Sequence, residues 1–68
     1  MNSKDRENIL LLSKIVLKSI PLFDMRIEGN YGEITINNKN VFNTTGPDVV
    51  PIMISFISGI IVGLRYNN

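Results

Sequence analysis

The chain reads as an α+β domain of order α-β-β-(β)-α: a small antiparallel meander with two helices packed on one face, assembled as a homo-oligomer. Three observations predict this. Apolar residues recur at helical spacing before Pro21, the period changes to two after Leu22, and Val49 to Leu64 is uncharged and apolar on every side. All 68 residues (1–68) are expected to form a single small oligomerising domain. A chain this short buries only roughly 60% of its unfolded surface. With neither Cys nor His, it lacks disulfide braces and the usual zinc, copper and haem ligands. Oligomerisation is the staple that remains.

Asn2 or Ser3 can cap a first helix, with Asp5 and Glu7 in its first turn, where carboxylates suit the positive end of the helix dipole. The helix is expected from Ser3 to Ser19. Pro21 stops it, because the residue before a proline is pushed toward extended geometry, which makes Ile20 the exit. At 100° per residue Ile9, Leu12, Val16 and Ile20 share one side, Leu10 and Leu17 flank it, and Ile15 lies on the other edge. Only Glu7, Leu11, Lys14 and Lys18 form a wet stripe.

From Leu22, Met25 and Ile27 alternate with Asp24, Arg26 and Glu28, and Ile34 and Ile36 alternate with Glu33, Thr35 and Asn37. A loop at Gly29-Asn30-Tyr31-Gly32 predicts a hairpin in which Gly29 faces Gly32, Ile27 faces Ile34 and Met25 faces Ile36. The four apolar side chains then share one face, and Arg26, Glu28, Glu33 and Thr35 occupy the solvated one, with Arg26 diagonal to Glu33. Asn37 to Asn40 predicts a second turn, because asparagine tolerates positive φ. A short third strand, Asn40 to Thr44, would set Val41 opposite Ile36. Asn43 to Asp48 then breaks the sheet and Asp48 caps the last helix, which leaves Pro51 in the first turn, where its missing N–H costs nothing. A start at Thr45 would bury Pro51 in the helix interior at about 3 kcal/mol.

The last helix carries the sharpest pattern. Ser55, Gly59 and Gly63 are spaced four apart, and small residues so spaced let helix backbones approach closely. With Phe56 and Ile60 beside them, they form the expected oligomer interface. The alternative is a single-span membrane protein with residues 49–66 as the span. The uncharged stretch is 16 residues long, about 24 Å of helix against a hydrocarbon core of about 30 Å. A bilayer would also leave the wide apolar arc of the first helix without a partner. A soluble oligomer is therefore favoured.

Catalysis has little to draw on. Without His or Cys a hydrolase would need paired carboxylates, a lysine base or an oxygen-ligated metal, and no P-loop, Rossmann or metal motif is present. No enzyme, no cofactor and no metal are expected. The stretch most like a ligand site is Asn43, Thr44, Thr45 and Gly46, a cluster of donors just ahead of a helix N-terminus. Asp48 repels anions there, so a base or ribose suits the stretch better than a lone phosphate, with Tyr31 or Tyr66 available to stack. Lys4, Lys14 and Lys18 are too sparse for nucleic acid, and a formal charge of +1 predicts no partner. The expected function is binding without chemistry. The chain would be a cytoplasmic protein, of the kind that phages and mobile elements carry as accessories, inhibiting or sequestering a host protein or a small nucleotide-like ligand.

Overall fold

The computed structural model describes residues 3–66. Helix α1 spans Ser3–Ser19, as its spacing predicts, and Asn2, the alternative cap, lies outside the described residues. The Ile20 N–H still donates to the Val16 carbonyl at 2.8 Å, and the Phe23 N–H donates to the Ile20 carbonyl at 3.1 Å. Pro21 thus occupies the second position of a tight turn that drops the chain from the helix into the sheet.

Strands β1 (Phe23–Glu28), β2 (Tyr31–Ile36) and β3 (Lys39–Thr45) form an antiparallel meander in the order β1-β2-β3, and α2 (Val49–Tyr66) closes the chain. The optional third strand is therefore real. Its two connections are two-residue turns with positive φ where a right-handed strand twist needs it. Gly29 has φ 55°, while Asn37 and Asn38 have φ 55° and 64°, the left-handed pair for which asparagine is suited.

Register differs from expectation by two residues. Met25 faces Ile34, Ile27 faces Gly32 and Phe23 faces Ile36, so Tyr31 and Gly32 belong to β2 and only Gly29-Asn30 turns. A shift of two preserves side-chain parity, which is why the two faces are still those expected. Strand β3 corrects the expectation at both ends. It begins at Lys39 and continues through Thr45, and an irregularity beside Ile34 leaves Val41 unpaired, so Ile34 faces Phe42 and Ile36 faces Lys39. That bulge turns Phe42 inward, and Val41 is exposed.

Phe23, Ile34 and Phe42 share one sheet face and pack with Val16 of α1 and with Val49, Met53 and Ile57 of α2. The Phe42 and Phe56 rings stack with centroids 4.2 Å apart and planes 13° from parallel. Among the described residues no polar or charged residue is buried. Helix α2 begins as the Asp48 cap predicts, and the Ile52 N–H donates to the Asp48 carbonyl at 3.1 Å.

Gly32 is the seat of α2. A Cβ on this buried strand residue would lie 2.9 Å from Val49 Cγ2 and 3.0 Å from both Cγ and Sδ of Met53. Gly32→Ala is expected to lower stability by about 1–3 kcal/mol through overpacking, despite the lower chain entropy of alanine. Urea unfolding measures it. A variant as stable as the parent would show that α2 can shift outward without loss.

Candidate functional site

The four residues of the expected ligand site do not converge within one chain. Asn43, Thr44 and Thr45 lie in β3, where side chains alternate, so Asn43 and Thr45 are exposed on the outer face while half-buried Thr44 points to the helix side. Gly46 has φ 133° and its N–H donates to the Asn30 carbonyl at 2.8 Å. The Val49 N–H in turn donates to the Gly46 carbonyl at 3.3 Å. Two of the donors that would hold an anion ahead of α2 are thus engaged in shaping the turn. Tyr66 lies at the opposite end of α2, about 26 Å along the axis, and cannot stack on a ligand held at Gly46.

What the sheet does bring together is a polar cluster around Glu33 on its outer face. Arg26 stands directly opposite Glu33, with its guanidinium 2.6 Å from Glu33 Oε1 and 3.8 Å from Glu28 Oε1. The Tyr31 hydroxyl and the Asn40 amide each donate to Glu33 Oε2 at 3.3 Å, and the Asn43 amide donates to Asn40 Oδ1 at 3.3 Å. One carboxylate therefore organises side chains from all three strands, and the Glu33 side chain is only 20% exposed. Sequence reading expected a diagonal Arg26–Glu33 pair and did not gather Asn40 and Asn43 to it, since the bulge that aligns them leaves no mark in the composition. The cluster offers amides, a phenol and a guanidinium for polar recognition. It has no base-activated nucleophile.

A second feature lies on the helix side. Arg6, Ile9 and Leu10 of α1 and Met25 and Ile27 of β1 line an open cleft of about 380 Å³. A neighbouring hollow of about 540 Å³, which shares Arg6 and Ile27 with it, is lined by Gly29, Asn30 and the start of α2 at Pro47, Val49, Val50 and Pro51. Among the described residues, no group of three His, Cys, Asp or Glu side chains could hold a metal ion.

No protein-family model, curated protein or solved structure matches this chain. Any functional reading therefore stands on the geometry alone.

The outer face of α2 is the third feature. Ser55, Gly59 and Gly63 are exposed, and a Cβ on either glycine would meet no atom within 4 Å. Phe56 and Ile60 sit beside this stripe but are half-buried and packed against the core. Ile52, Val62 and Tyr66 extend the open surface along the helix.

The Arg26–Glu33 pair sets a measurable scale for the polar cluster. A double-mutant cycle with Arg26→Ala and Glu33→Ala is expected to give a coupling of about 0.5–1 kcal/mol, shrinking in 1 M salt, because Arg26 is half-exposed and screened. A coupling unchanged by salt would mean that hydrogen-bond geometry, not charge, holds the cluster.

Proposed function

We propose that this protein is a homo-oligomeric binding module without catalytic chemistry, which assembles in water through the outer face of α2. One observation carries the reading: α2 is 18 residues long with a mean hydropathy of 1.9, yet only 17% of its residues are fully buried. A helix apolar all round requires cover all round, and one chain supplies it on one side. The partner copy suits the remaining side, where Ser55, Gly59 and Gly63 allow close approach. The polar cluster around Glu33 stays in water and provides the surface on which a host protein or a small polar ligand would be recognised. Inhibition or sequestration is the work such a surface performs. A small-ligand site that used Asn43, Thr44, Thr45 and Gly46 would draw residues from a neighbouring copy.

The same helix supports a second reading, a single membrane span over residues 49–66, by its length and composition. Packing favours the first. Val49, Met53 and Ile57 are three of the seven buried apolar residues among those described, and placing α2 in a bilayer would strip them from Val16, Phe23 and Ile34. Removing one such side chain from a core costs about 2–5 kcal/mol, and α1 and the sheet would lose the cover of all three.

Equilibrium sedimentation in detergent-free buffer is expected to show at least a dimer, with a melting temperature that rises with protein concentration. Gly59→Leu should weaken that assembly, since overpacking at the contact, about 1–3 kcal/mol, outweighs the gain in helix propensity of about 1 kcal/mol. A folded monomer at all concentrations would sink the reading, and a protein recovered only with detergent would support the membrane span.

A further inference from the structure

We infer that strand β1 is a second self-association surface, pairing antiparallel with β1 of another copy about a two-fold axis at Met25 to give a continuous six-stranded sheet. The inference rests on the reading of self-association above but uses a different surface, so the two fail separately.

Strand β1 is an edge strand. Its pairing with β2 fixes which groups point away from the sheet. In a two-residue hairpin the residues flanking the turn exchange hydrogen bonds, so Glu28, Arg26 and Asp24 bond to β2. The Asn37 N–H donates to the Leu22 carbonyl at 3.1 Å, which continues the same even-numbered pattern. Phe23, Met25 and Ile27 therefore turn their backbone groups to the open edge. The Met25 N–H has only a local acceptor, Oδ1 of the neighbouring Asp24 at 2.9 Å.

The other edge is guarded. Strand β3 carries a bulge at Val41 and begins with Lys39, two devices that discourage a further strand. Strand β1 has six regular pairs to β2 and no bulge.

Charge selects both the occupant and the register. A two-fold at Met25 sets Asp24 opposite Arg26 of the second copy, twice, on the outer face, and sets Phe23 opposite Ile27 on the helix side. Moving the axis to Asp24 or to Arg26 sets like charges against each other. An axis at Ile27 also joins outward-pointing groups and sets Arg26 opposite Glu28, but it runs Met25 against Gly29 in the turn, so the Met25 register is the one that keeps the pairing within the strand. Four backbone hydrogen bonds then form: two between the Met25 residues, and one from each Ile27 N–H to the opposing Phe23 carbonyl. The Phe23 N–H is already held by Ile20. Asp24 exchanges its local contact for the opposing guanidinium and frees the Met25 N–H.

The helix side agrees. Leu10 and Leu17 of α1 are 52% and 40% exposed, and with Ser13 they line a cleft of about 160 Å³ over Phe23, Asp24 and Met25. Extending the sheet past β1 brings the two α1 helices side by side above it, so each copy covers the leucines of the other.

The chain has no cysteine, so a single introduced one can cross-link only between copies. In the proposed pair the two Met25 Cα atoms lie about 5.5 Å apart, within disulfide range. Met25→Cys is expected to form disulfide dimers under mild oxidation at least tenfold faster than Val41→Cys on the guarded edge. Adding Asp24→Lys should slow the Met25→Cys cross-link about tenfold, since two like-charged pairs replace two attractive ones. Adding Glu28→Lys should not slow it, because Glu28 then faces Leu22. Circular dichroism confirms that each variant is folded. Equal rates at Met25 and Val41, or equal slowing by both lysine substitutions, would overturn the pairing. Repeating the Met25→Cys measurement with Gly59→Leu separates the surfaces: a cross-link that persists assigns self-association to β1 independently of α2, and one that vanishes overturns β1 as a surface of its own.

Discussion

Helix α2 rests on a glycine. Val49 and Met53 press on Gly32 so closely that a methyl group there would collide with both, and this contact sets the depth at which α2 lies on the sheet. From that depth Met53 and Ile57 reach Ile34 and Val16, and Phe56 reaches Phe42. The hairpin register follows the same constraint. Were Gly32 in a four-residue loop, as its neighbours suggest, the strand would lose the flat place on which a helix can sit. A glycine inside a strand is otherwise a weakness, and close approach of another backbone is the usual reason to keep one there.

The sequence was most legible where a single residue type forbids alternatives. Pro21 and Pro51 fix the end of α1 and the start of α2, because each excludes a longer helix on chemical grounds. Parity of the strands was equally legible, since Met25, Ile27, Ile34 and Ile36 admit one buried face. Register was not. Shifts by two satisfy the same alternation, and the choice between a four-residue and a two-residue turn was decided by the fit of Gly32 under α2, which lies far away in sequence. The bulge at Val41 escaped for a similar reason. Val41 and Phe42 are both apolar, and only the stacking partner Phe56 determines which one turns inward. The expected ligand residues Asn43 to Thr45 were grouped by composition, and strand alternation then divided them between two faces.

The finished molecule separates its surfaces sharply. One sheet face is wet and tied together through Glu33, while apolar surface remains on the α2 side and beside β1. Exposed leucines taken singly mean little, but contiguous ones on a chain of this size signal contact. In the proposed reading, recognition falls on the polar face and the α2 self-contact on the opposite side. Asn40 and Asn43 are exposed on that face, so changes there leave the core side chains in place.

The position of α2 in chain order also has a kinetic side. The meander is joined by two-residue turns and involves only near neighbours in sequence, so it carries little loop-closure entropy. Val49, Met53 and Ile57, however, arrive after every strand and after α1. Without α2, Val16, Phe23 and Ile34 keep one another but lose the cover of Val49, Met53 and Ile57, so the core closes only when the last helix docks. The element that completes the interior thus also displays the outer surface proposed for contact with the next chain.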